Sequence, residues 1–340
     1  MAEIVTLKIL AEQLGLSIST VSRALQNHPR ISVGTKKKVW ELAKSVDYYP
    51  NKAALNLRNR RSNLLGIIVP RISYHFYSLA ISGIEDVALE SGFNVVICHS
   101  NEIFQREVSN TMDLITAQVD GIIASLAAET QEFHHFEKVL QREIPLVFFN
   151  RVTNFLPASL VYVDNYQAGY EAARHLIQQR CKRLAFVGGP DYLQISNDRK
   201  AGFLKAIQDH GLNIYSEFMG HLTFDPVSAA DYTSTLFSSS FFPDGIFCVS
   251  DRLATGVWRW LQNNGYTIPD DVALIGFNND PVCEIMSPNL SSVDQDAYEM
   301  GREAAKLCLN QLDNNLGGRS VRKVLPTSLK IRKSSTRLVL

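Results

Sequence analysis

The 340-residue sequence lacks several features that define large classes of proteins. No apolar run approaches the roughly 18 residues that a membrane helix needs, and no basic segment followed by an apolar one stands at its start. The five cysteines are odd in number and widely spaced, and no Cys-x-x-Cys pair occurs. We therefore predict a cytoplasmic protein with no membrane segment, whose cysteines are buried free thiols rather than disulfides or metal ligands.

The chain also lacks a catalytic signature. The glycine-rich turn at Val187–Pro190 has neither the spacing of a dinucleotide fingerprint nor a P-loop lysine, and predicts a tight turn or a close backbone approach to a ligand. A metal role for His134 and His135 would need convergent acidic or Cys partners, and Ser238–Ser240 has no nucleophile elbow around it. We predict a protein that is not an enzyme and has neither a cofactor nor a metal.

The formal net charge of zero conceals an asymmetry. Residues 1–61 carry eleven basic and four acidic side chains, a net charge of +7, and the remainder carries −7. A basic head on an acidic body is typical of a protein that binds a polyanion at one end. Charge alone does not distinguish this from a solvated basic face.

The most informative stretch is Leu16–Leu25, which has the pattern of the recognition helix in a helix-turn-helix. Ser17 is a good N-cap, and Val21 and Leu25 lie four residues apart on an inward face. Gly15 separates this helix from a preceding amphipathic one, where a tight turn needs an unhindered backbone. The alternative is a pair of ordinary amphipathic helices in a small bundle.

A third helix is predicted from Ser32 to about Val46, followed by a hinge helix over residues 50–58. A helix this short is marginal alone and is expected to form only when something packs on it. A partner copy and a DNA minor groove would do so together, with Leu57 as an apolar wedge between base steps. Alternatively, Leu55 and Leu57 cover the top of the next domain.

From Leu64 onward, short apolar strands alternate with amphipathic helices, which predicts parallel sheets covered on both faces. There are too many strands for one open sheet, so we predict an α/β core of two similar lobes with a ligand cleft at the carboxyl ends of the strands. The strand candidates are Leu65–Val69, Asn94–Cys98, Gly121–Ala124, Leu146–Phe149, Leu160–Val163, Leu184–Val187, Gly245–Val249 and Val272–Phe277. The helix candidates are Ser78–Ser91, Tyr166–Gln179, Arg199–His210 and Leu253–Asn263.

An ordered series of short motifs resembles the LacI/GalR family of bacterial transcription regulators over essentially the whole chain. The resemblance implies a helix-turn-helix head, a hinge helix and a core similar to periplasmic sugar-binding proteins. The matching pieces include Leu16–Leu25, Tyr49–Asn51, Leu64–Pro70, Asp120–Ile123, Val163–Asn165, Arg183–Gly189, Arg199–Ala206, Ile268–Phe277, Pro288–Val293 and Ser328–Arg332. The implied domains are residues 1–49 for the head, 50–61 for the hinge, 62–163 with 292–321 for the first lobe, and 164–291 with 322–340 for the second.

The resemblance also implies roles for individual residues. Ile18, Ser19 and Arg23 would read bases, Leu57 would enter the minor groove, and Arg199 would contact effector oxygens. The other expected DNA contacts are Thr6, Ser17, Thr20, Ser22, Arg30 and Asn51. The other expected effector contacts are Tyr74, Phe76, Asn150, Phe224, Ser250, Asp251 and Asn278.

Three positions depart from the family pattern. Asn150 and Asn278 stand where Asp is frequent at the ends of core strands, and Ser250 stands where Asn commonly precedes Asp251. Ionised Asp only accepts hydrogen bonds, whereas Asn both donates and accepts. A sugar bound by two carboxylates is therefore less well supported, and a ligand with its own phosphate or carboxylate beside Arg199 is equally compatible.

The sequence thus predicts a homodimeric regulator, usually a repressor, that binds a palindromic operator on nucleoid DNA and is controlled by a small effector such as a sugar or sugar phosphate. The tail has no leucine heptads, so we expect no tetramer. Three alternatives stay open. They are control by a protein co-effector, a ligand-binding receptor without a role on DNA, and an enzyme of the same two-lobed architecture.

Overall fold

The computed structural model describes residues 6–48, 61–314 and 319–337. The chain divides into two units, residues 1–62 and 63–340. The expected hinge helix, with Asn51 and Leu57, lies outside the described residues. All five cysteines are described as free thiols, and four of them are buried as predicted, whereas Cys98 is only half-buried.

Residues 6–48 of the first unit form three helices: α1 (Leu7–Leu14), α2 (Ile18–Leu25) and α3 (Val33–Ser45). Each begins at a capping hydroxyl, those of Thr6, Ser17 and Ser32, which accept a hydrogen bond from an amide of the first turn. Gly15 adopts φ 62°, the left-handed conformation that a side chain would disfavour, and so ends α1.

Each of the three helices contributes a fully buried branched side chain to the core of this unit. These are Leu10 from α1, Val21 from α2 and Val39 from α3. Leu25 packs into the same cluster, as its four-residue spacing from Val21 predicts.

The second unit contains two six-stranded sheets, one in each lobe. The first sheet is parallel throughout, in the order β11-β5-β4-β3-β1-β2. Its strands are β1 (Leu64–Val69), β2 (Asn94–His99), β3 (Gly121–Ala124), β4 (Leu146–Phe149), β5 (Ser159–Val163) and β11 (Arg322–Leu325). The helices of this lobe are α4 (His75–Glu90), α5 (Phe104–Thr116), α6 (His134–Gln141) and α12 (Ala297–Asn314).

The second sheet has the order β12-β10-β9-β8-β6-β7, in which β12 runs antiparallel to β10. Its strands are β6 (Leu184–Gly188), β7 (Met219–His221), β8 (Gly245–Cys248), β9 (Ala273–Phe277), β10 (Ser291–Asp294) and β12 (Ser328–Lys330). The helices of this lobe are α7 (Asn165–Gln178), α8 (Gln194–Asp209), α9 (Pro226–Leu236), α10 (Asp251–Asn263) and α11 (Val282–Ile285). Single 3-10 turns occupy Ser216–Phe218 and Lys333–Ser335.

The apolar strands are buried because helices cover both faces of each sheet. In β1, Ile67 packs in one cluster with residues of α4 and α12, while its neighbour Ile68 packs in another with residues of α5 and α6. Alternate residues of a strand point to opposite faces, so a strand covered on both sides reads as a continuous apolar run.

The chain passes between the lobes three times. The first connection is Asp164, between β5 and α7, where the sequence places it. The other two lie further along the chain than the expected positions near Ser291 and Val321. Those positions are wrong because β10 pairs with β9 as far as Val293, and β11 pairs with β5 as far as Leu325. The crossings therefore fall at residues 295–296 and 326–327.

Two helices of the second lobe pack with their backbones in close approach. A Cβ placed on Gly169 of α7 would lie 2.1 Å from the carbonyl oxygen of Arg199 in α8. One placed on Gly202 of α8 would lie 1.9 Å from the carbonyl oxygen of Tyr166. Only glycine permits both contacts, so α7 and α8 form a tightly joined pair. None of the helices described here is long and apolar enough to cross a bilayer.

Candidate functional site

The first turn of α2 presents an exposed surface on the head. Ser17, Ile18 and Ser19 are all exposed, Ile18 to 50%. An exposed isoleucine on a short helix is available for apolar contact, such as that with a thymine methyl group. The Ser17 hydroxyl is also 2.8 Å from that of Thr20, which is half-buried.

Arg23 folds back along the same turn. Its Nε donates to the Ser19 carbonyl oxygen at 3.0 Å, and Nη2 donates to the Ser19 hydroxyl at 3.2 Å. These bonds hold the guanidinium beside Ser19, on the part of α2 that is expected to read bases. The head therefore restricts this side chain already, which would lower the conformational entropy lost on a contact with DNA.

The remaining head residues divide by exposure. Thr6 and Arg30 are exposed, as contacts with a phosphate backbone require. Ser22 is only 9% exposed and lies on the buried side of α2, so the expected phosphate contact at this position is not supported. Asn51 and Leu57 are outside the described residues.

A cavity that encloses about 50 Å³ and opens partly to solvent lies between the two lobes at the carboxyl ends of the strands. Seven of the eight expected effector residues line it: Tyr74, Phe76, Asn150, Arg199, Phe224, Ser250 and Asn278. The lining also includes residues that the sequence analysis missed: Tyr77, Arg151, Ile195, Val249, Arg252, Asp280 and Gln295. Several of these lie within a residue or two after a strand, as Arg151 does after β4 and Val249 does after β8. That position is the signal by which they could have been found.

Aromatic rings form an apolar wall of the cavity. Tyr74 and Phe76 come from the segment after β1, and Phe224 comes from the opposite lobe. A Cβ placed on Gly189 would lie 2.5 Å from Cζ of Phe224. The glycine-rich turn after β6 therefore makes room for an aromatic ring at the cavity rather than for a phosphate.

Arg199 is 3% exposed yet has no carboxylate partner within the described part of the chain. Nε donates to Asn165 Oδ1 at 2.8 Å, Nη1 donates to the Val249 carbonyl oxygen at 2.8 Å, and the guanidinium carbon lies 3.5 Å above the ring centre of Phe277. Burial, followed by the charge of Arg151, lowers the pKa of Arg199 to about 9.

Arg151, in contrast, is paired. Nη1 and Nη2 donate to the two carboxylate oxygens of Glu102 at 2.6 and 3.1 Å, and Glu102 also accepts from the Ala128 amide at 2.8 Å. The guanidinium carbon of Arg151 lies 5.2 Å from the ring centre of Phe224. A bidentate pair of this kind fixes the guanidinium plane against the cavity.

Three buried polar atoms of the lining have no hydrogen-bond partner among the residues that the structure describes: Arg151 Nε, Asp280 Oδ1 and Gln295 Oε1. One is a donor and two are acceptors. Burial raises the pKa of Asp280, while the charges of His75 and Arg252 act in the opposite direction. Buried polar atoms are nearly always satisfied in folded proteins, so three exceptions around one cavity indicate a place for a polar ligand or water.

Asp251 does not line the cavity, which corrects the expectation for that residue. It is fully buried at the start of α10, where Oδ2 accepts from the Asp280 amide at 2.8 Å and Oδ1 accepts from the Ser292 hydroxyl at 2.7 Å. Burial, together with the charge of Asp280, raises the pKa of Asp251 to about 6. Asp251 therefore supports the Asp280 segment from behind.

The two asparagines end strands in left-handed conformations, with φ 57° at Asn150 and 112° at Asn278. Asn150 Nδ2 donates to the Tyr77 hydroxyl at 3.2 Å, and Asn278 Oδ1 accepts from Gln295 Nε2 at 2.9 Å. Ser250 caps α10 by accepting from the Leu253 amide at 3.3 Å. All three amide and hydroxyl groups are thus positioned by the protein at the cavity wall.

The histidine pair of α6 is a structural element. His135 is buried, and its Nε2 lies 3.0 Å from Glu107 Oε1. Glu107 in turn accepts from the Ala127 amide and the Thr130 hydroxyl, so His135 and Glu107 together anchor the loop after β3. Among the described residues, no group of three or more His, Cys, Asp or Glu side chains is placed to hold a metal ion.

Two family profiles match the chain. Residues 6–51 match bacterial regulatory proteins of the lacI family, and residues 173–335 match a periplasmic binding protein-like domain. Catabolite control protein A of Priestia megaterium is 30% identical over 97% of this chain and 99% of its own length. The transcriptional repressor CytR of Escherichia coli K12 is 30% identical over 98% of this chain and 97% of its own length.

Solved structures show the same architecture. The lac repressor dimer bound to operator and the anti-inducer ONPF is similar in fold, with a TM-score of 0.88 over 98% of this chain and all of that one, at 21% identity. A complex of the transcriptional regulator CelR with cellobiose has a TM-score of 0.74, 25% identity, and coverage of 97% and 99%. A regulator from Enterococcus faecium with bound ribose has a TM-score of 0.71, 26% identity, and coverage of 81% and 100%.

Proposed function

The chain belongs to the LacI family of bacterial regulatory proteins, and we propose that it is a homodimeric repressor whose affinity for a palindromic operator is set by a small polyhydroxylated ligand in the cleft. That it is a DNA-binding transcriptional regulator follows from the family. We propose, beyond this, the class of ligand, the role as a repressor and the individual contacts with DNA and ligand.

The observation that carries the ligand proposal is the set of unpartnered polar atoms in an aromatic-walled cavity. Asp280 Oδ1 and Gln295 Oε1 accept hydrogen bonds, as a ligand with several hydroxyl groups requires. Phe224 and Tyr74 supply apolar surface for the face of a ring. Cellobiose and ribose are bound by the similar regulators named above, which supports a carbohydrate or a related compound.

On the head, we assign base reading to Ile18, Ser19 and Arg23, which share the exposed turn of α2. We assign phosphate contacts to Thr6, Ser17, Thr20 and Arg30, because hydroxyl and guanidinium groups donate to phosphate oxygens. The minor-groove role of Leu57 remains part of the proposal on the family resemblance alone.

The cleft and the head are coupled if the ligand binds one arrangement of the two lobes more tightly than another. The ligand then shifts the population towards that arrangement and changes operator affinity, by an amount that is typically about 1–3 kcal/mol between two sites. We propose that the hinge segment at residues 50–58 transmits this change by forming or losing its helix.

The base-reading assignment predicts that Arg23→Ala weakens operator binding by roughly 1–3 kcal/mol, with a much smaller loss on random duplex. Fluorescence anisotropy on both duplexes measures this. Arg23→Lys is the matched control, because it keeps the charge but loses the bidentate fork. An equal loss on operator and random DNA would contradict base reading and leave only a phosphate contact.

The experiment that tests the function begins with selection of bound duplexes from a random pool by the full-length protein. We expect a palindromic consensus whose binding changes about 5–150-fold when the cognate ligand from a panel of sugars, sugar acids, sugar phosphates and nucleosides is added. Absence of sequence selection would instead support a receptor without a role on DNA. Selection without any ligand effect would contradict control by the cleft and favour a protein co-effector.

A further inference from the structure

The charged side chains that line the cleft do not balance. Three arginines, Arg151, Arg199 and Arg252, line the cavity with one carboxylate, that of Asp280. Only Arg151 has an ion-pair partner among the described residues, namely Glu102, which neutralises it. Arg252 instead stacks with its guanidinium carbon 4.8 Å from the ring centre of Tyr74. With Glu102 counted, the cleft keeps one positive charge in excess.

We assign the excess positive charge to Arg199, because its guanidinium is buried and has no ion-pair partner among the described residues. A buried cation without a carboxylate in contact is unfavourable, and the charge of Arg151 opposes it further, while the charge of Asp198 acts in its favour. Two of its nitrogens are used by Asn165 and Val249, which are both uncharged partners, and Nη2 donates to no atom of the described chain. The side chain is thus held in place with no ion pair to any described residue.

The acceptors of the cleft are concentrated elsewhere. Asp280 and Gln295 follow β9 and β10, and each has an unpartnered oxygen buried at the cavity. An oxyanion placed against these oxygens would be repelled, whereas a hydroxyl group would donate to them. The cavity therefore has a region that favours an anion and a region that favours hydroxyl hydrogens.

We infer that the effector is an anionic polyol, whose phosphate or carboxylate group binds Arg199 and whose hydroxyl groups bind Asp280 and Gln295. This inference rests on the proposed function for the identity of the pocket, and it excludes a neutral sugar as the preferred ligand. Asn150 and Asn278 add support for an anionic ligand, because neither residue supplies a carboxylate that would neutralise Arg199 from within the protein.

The test uses the full-length protein with inorganic phosphate and acetate as probes of the two oxyanion shapes, against chloride at equal ionic strength. A ligand that binds only the folded state raises the melting temperature by mass action. We expect phosphate, acetate or both to stabilise the wild type, and Arg199→Gln to weaken that binding about tenfold. The larger of the two shifts distinguishes a tetrahedral phosphate from a planar carboxylate as the natural group.

Two further variants keep the outcome decisive. Asn278→Asp supplies an internal carboxylate, still accepts the bond from Gln295, and is expected to reduce anion binding about tenfold without unfolding the protein. Arg259→Gln removes an equal charge from an exposed position of α10 and should leave the shifts unchanged. Equal anion shifts in wild type, Arg199→Gln and Asn278→Asp would overturn the inference, as would no anion shift in the wild type.

Matched sets of glucose, gluconate and glucose 6-phosphate, and of ribose, ribonate and ribose 5-phosphate, then separate this inference from the proposed function. An anionic member that binds about tenfold tighter than its neutral parent and changes operator affinity supports both. A neutral sugar that binds more tightly and changes operator affinity contradicts only the inference. An anionic member that binds through Arg199 without changing operator affinity contradicts only the proposed function.

Discussion

The two lobes face the same cavity with different degrees of internal bonding. On the first lobe, Arg151 is clamped by Glu102, and Asn150 is bonded to Tyr77. On the second lobe, Arg199 lacks a carboxylate and Asp280 leaves an oxygen unused. Among the buried cavity atoms that the structure describes, the first lobe leaves one donor unpartnered, Arg151 Nε, while its charge is neutralised by Glu102. A lobe whose charged groups are already paired gains less free energy from a ligand than one whose groups are not. We therefore expect the first lobe to fix the shape of the cavity and the second lobe to supply most of the polar bonds to the ligand.

The largest effect that tests this contrast is expected at Glu102. Glu102→Ala leaves Arg151 buried without its partner, and should lower the free energy of unfolding by about 3–5 kcal/mol, measured by urea denaturation. Glu284→Ala removes the exposed carboxylate that pairs with Arg332 and should cost at most about 1 kcal/mol. A similar, small loss in both variants would mean that the first lobe does not depend on its clamp.

The pH dependence of the free energy of unfolding tests the role of Asp251, which supports the Asp280 segment of the second lobe. Its folded pKa of about 6 lies above the ordinary value of 3.8, so the stability it contributes is complete below pH 4 and is lost as the pH rises through 6. Relative to Asp251→Asn, wild type should lose about 3 kcal/mol between pH 4 and pH 7. Asp280 titrates nearby, so the difference between the two proteins is the quantity to measure. A difference independent of pH would show that Asp251 ionises normally.

Asp280→Ala should separate recognition from stability. Removing the unpartnered acceptor is expected to weaken effector binding by roughly 1–3 kcal/mol, measured by calorimetry. The free energy of unfolding should stay constant or rise, because a buried carboxylate without its full set of bonds is removed. Asp270→Ala, an exposed charge in the same lobe, is the control for net charge. If Asp280→Ala lowered the free energy of unfolding as much as Glu102→Ala does, the proposed difference between the two lobes would be wrong.

The smallest effect is expected at Gly189. A methyl group there collides with Phe224, so Gly189→Ala should displace the ring and weaken effector binding by about 1 kcal/mol. Combining it with Phe224→Leu relieves the collision, and the two changes should not be additive. Additive losses would indicate that the glycine acts through its backbone instead of through the ring.

The head and the long strands were predictable because their determinants are local. Ser17, Gly15 and the spacing of Val21 and Leu25 define α2 and its turn within a few residues of one another. The short strands β7, β10, β11 and β12 were not predicted as strands, since their pairing depends on partners far along the chain. The boundaries of the lobes moved for the same reason.

The cavity was predicted in part. Arg199 and Phe224 were placed there by family resemblance, whereas Arg151, Asp280 and Gln295 become neighbours of the site only through the order of strands in the two sheets. Asp251 was misplaced because its direction depends on a distant glycine. A Cβ on Gly276 of β9 would lie 2.0 Å from Asp251 Oδ1, so that glycine admits the carboxylate beneath the sheet and away from the ligand.

The close pairing of α7 and α8 places Arg199 next to the first connection between the lobes. Its Nε is bonded to Asn165, the first residue of α7 after the crossing at Asp164. Because glycines bring the two helices backbone to backbone, the guanidinium is bound to the segment at which the chain enters the second lobe. A ligand that displaced the arginine would therefore act on the start of α7 through a single hydrogen bond.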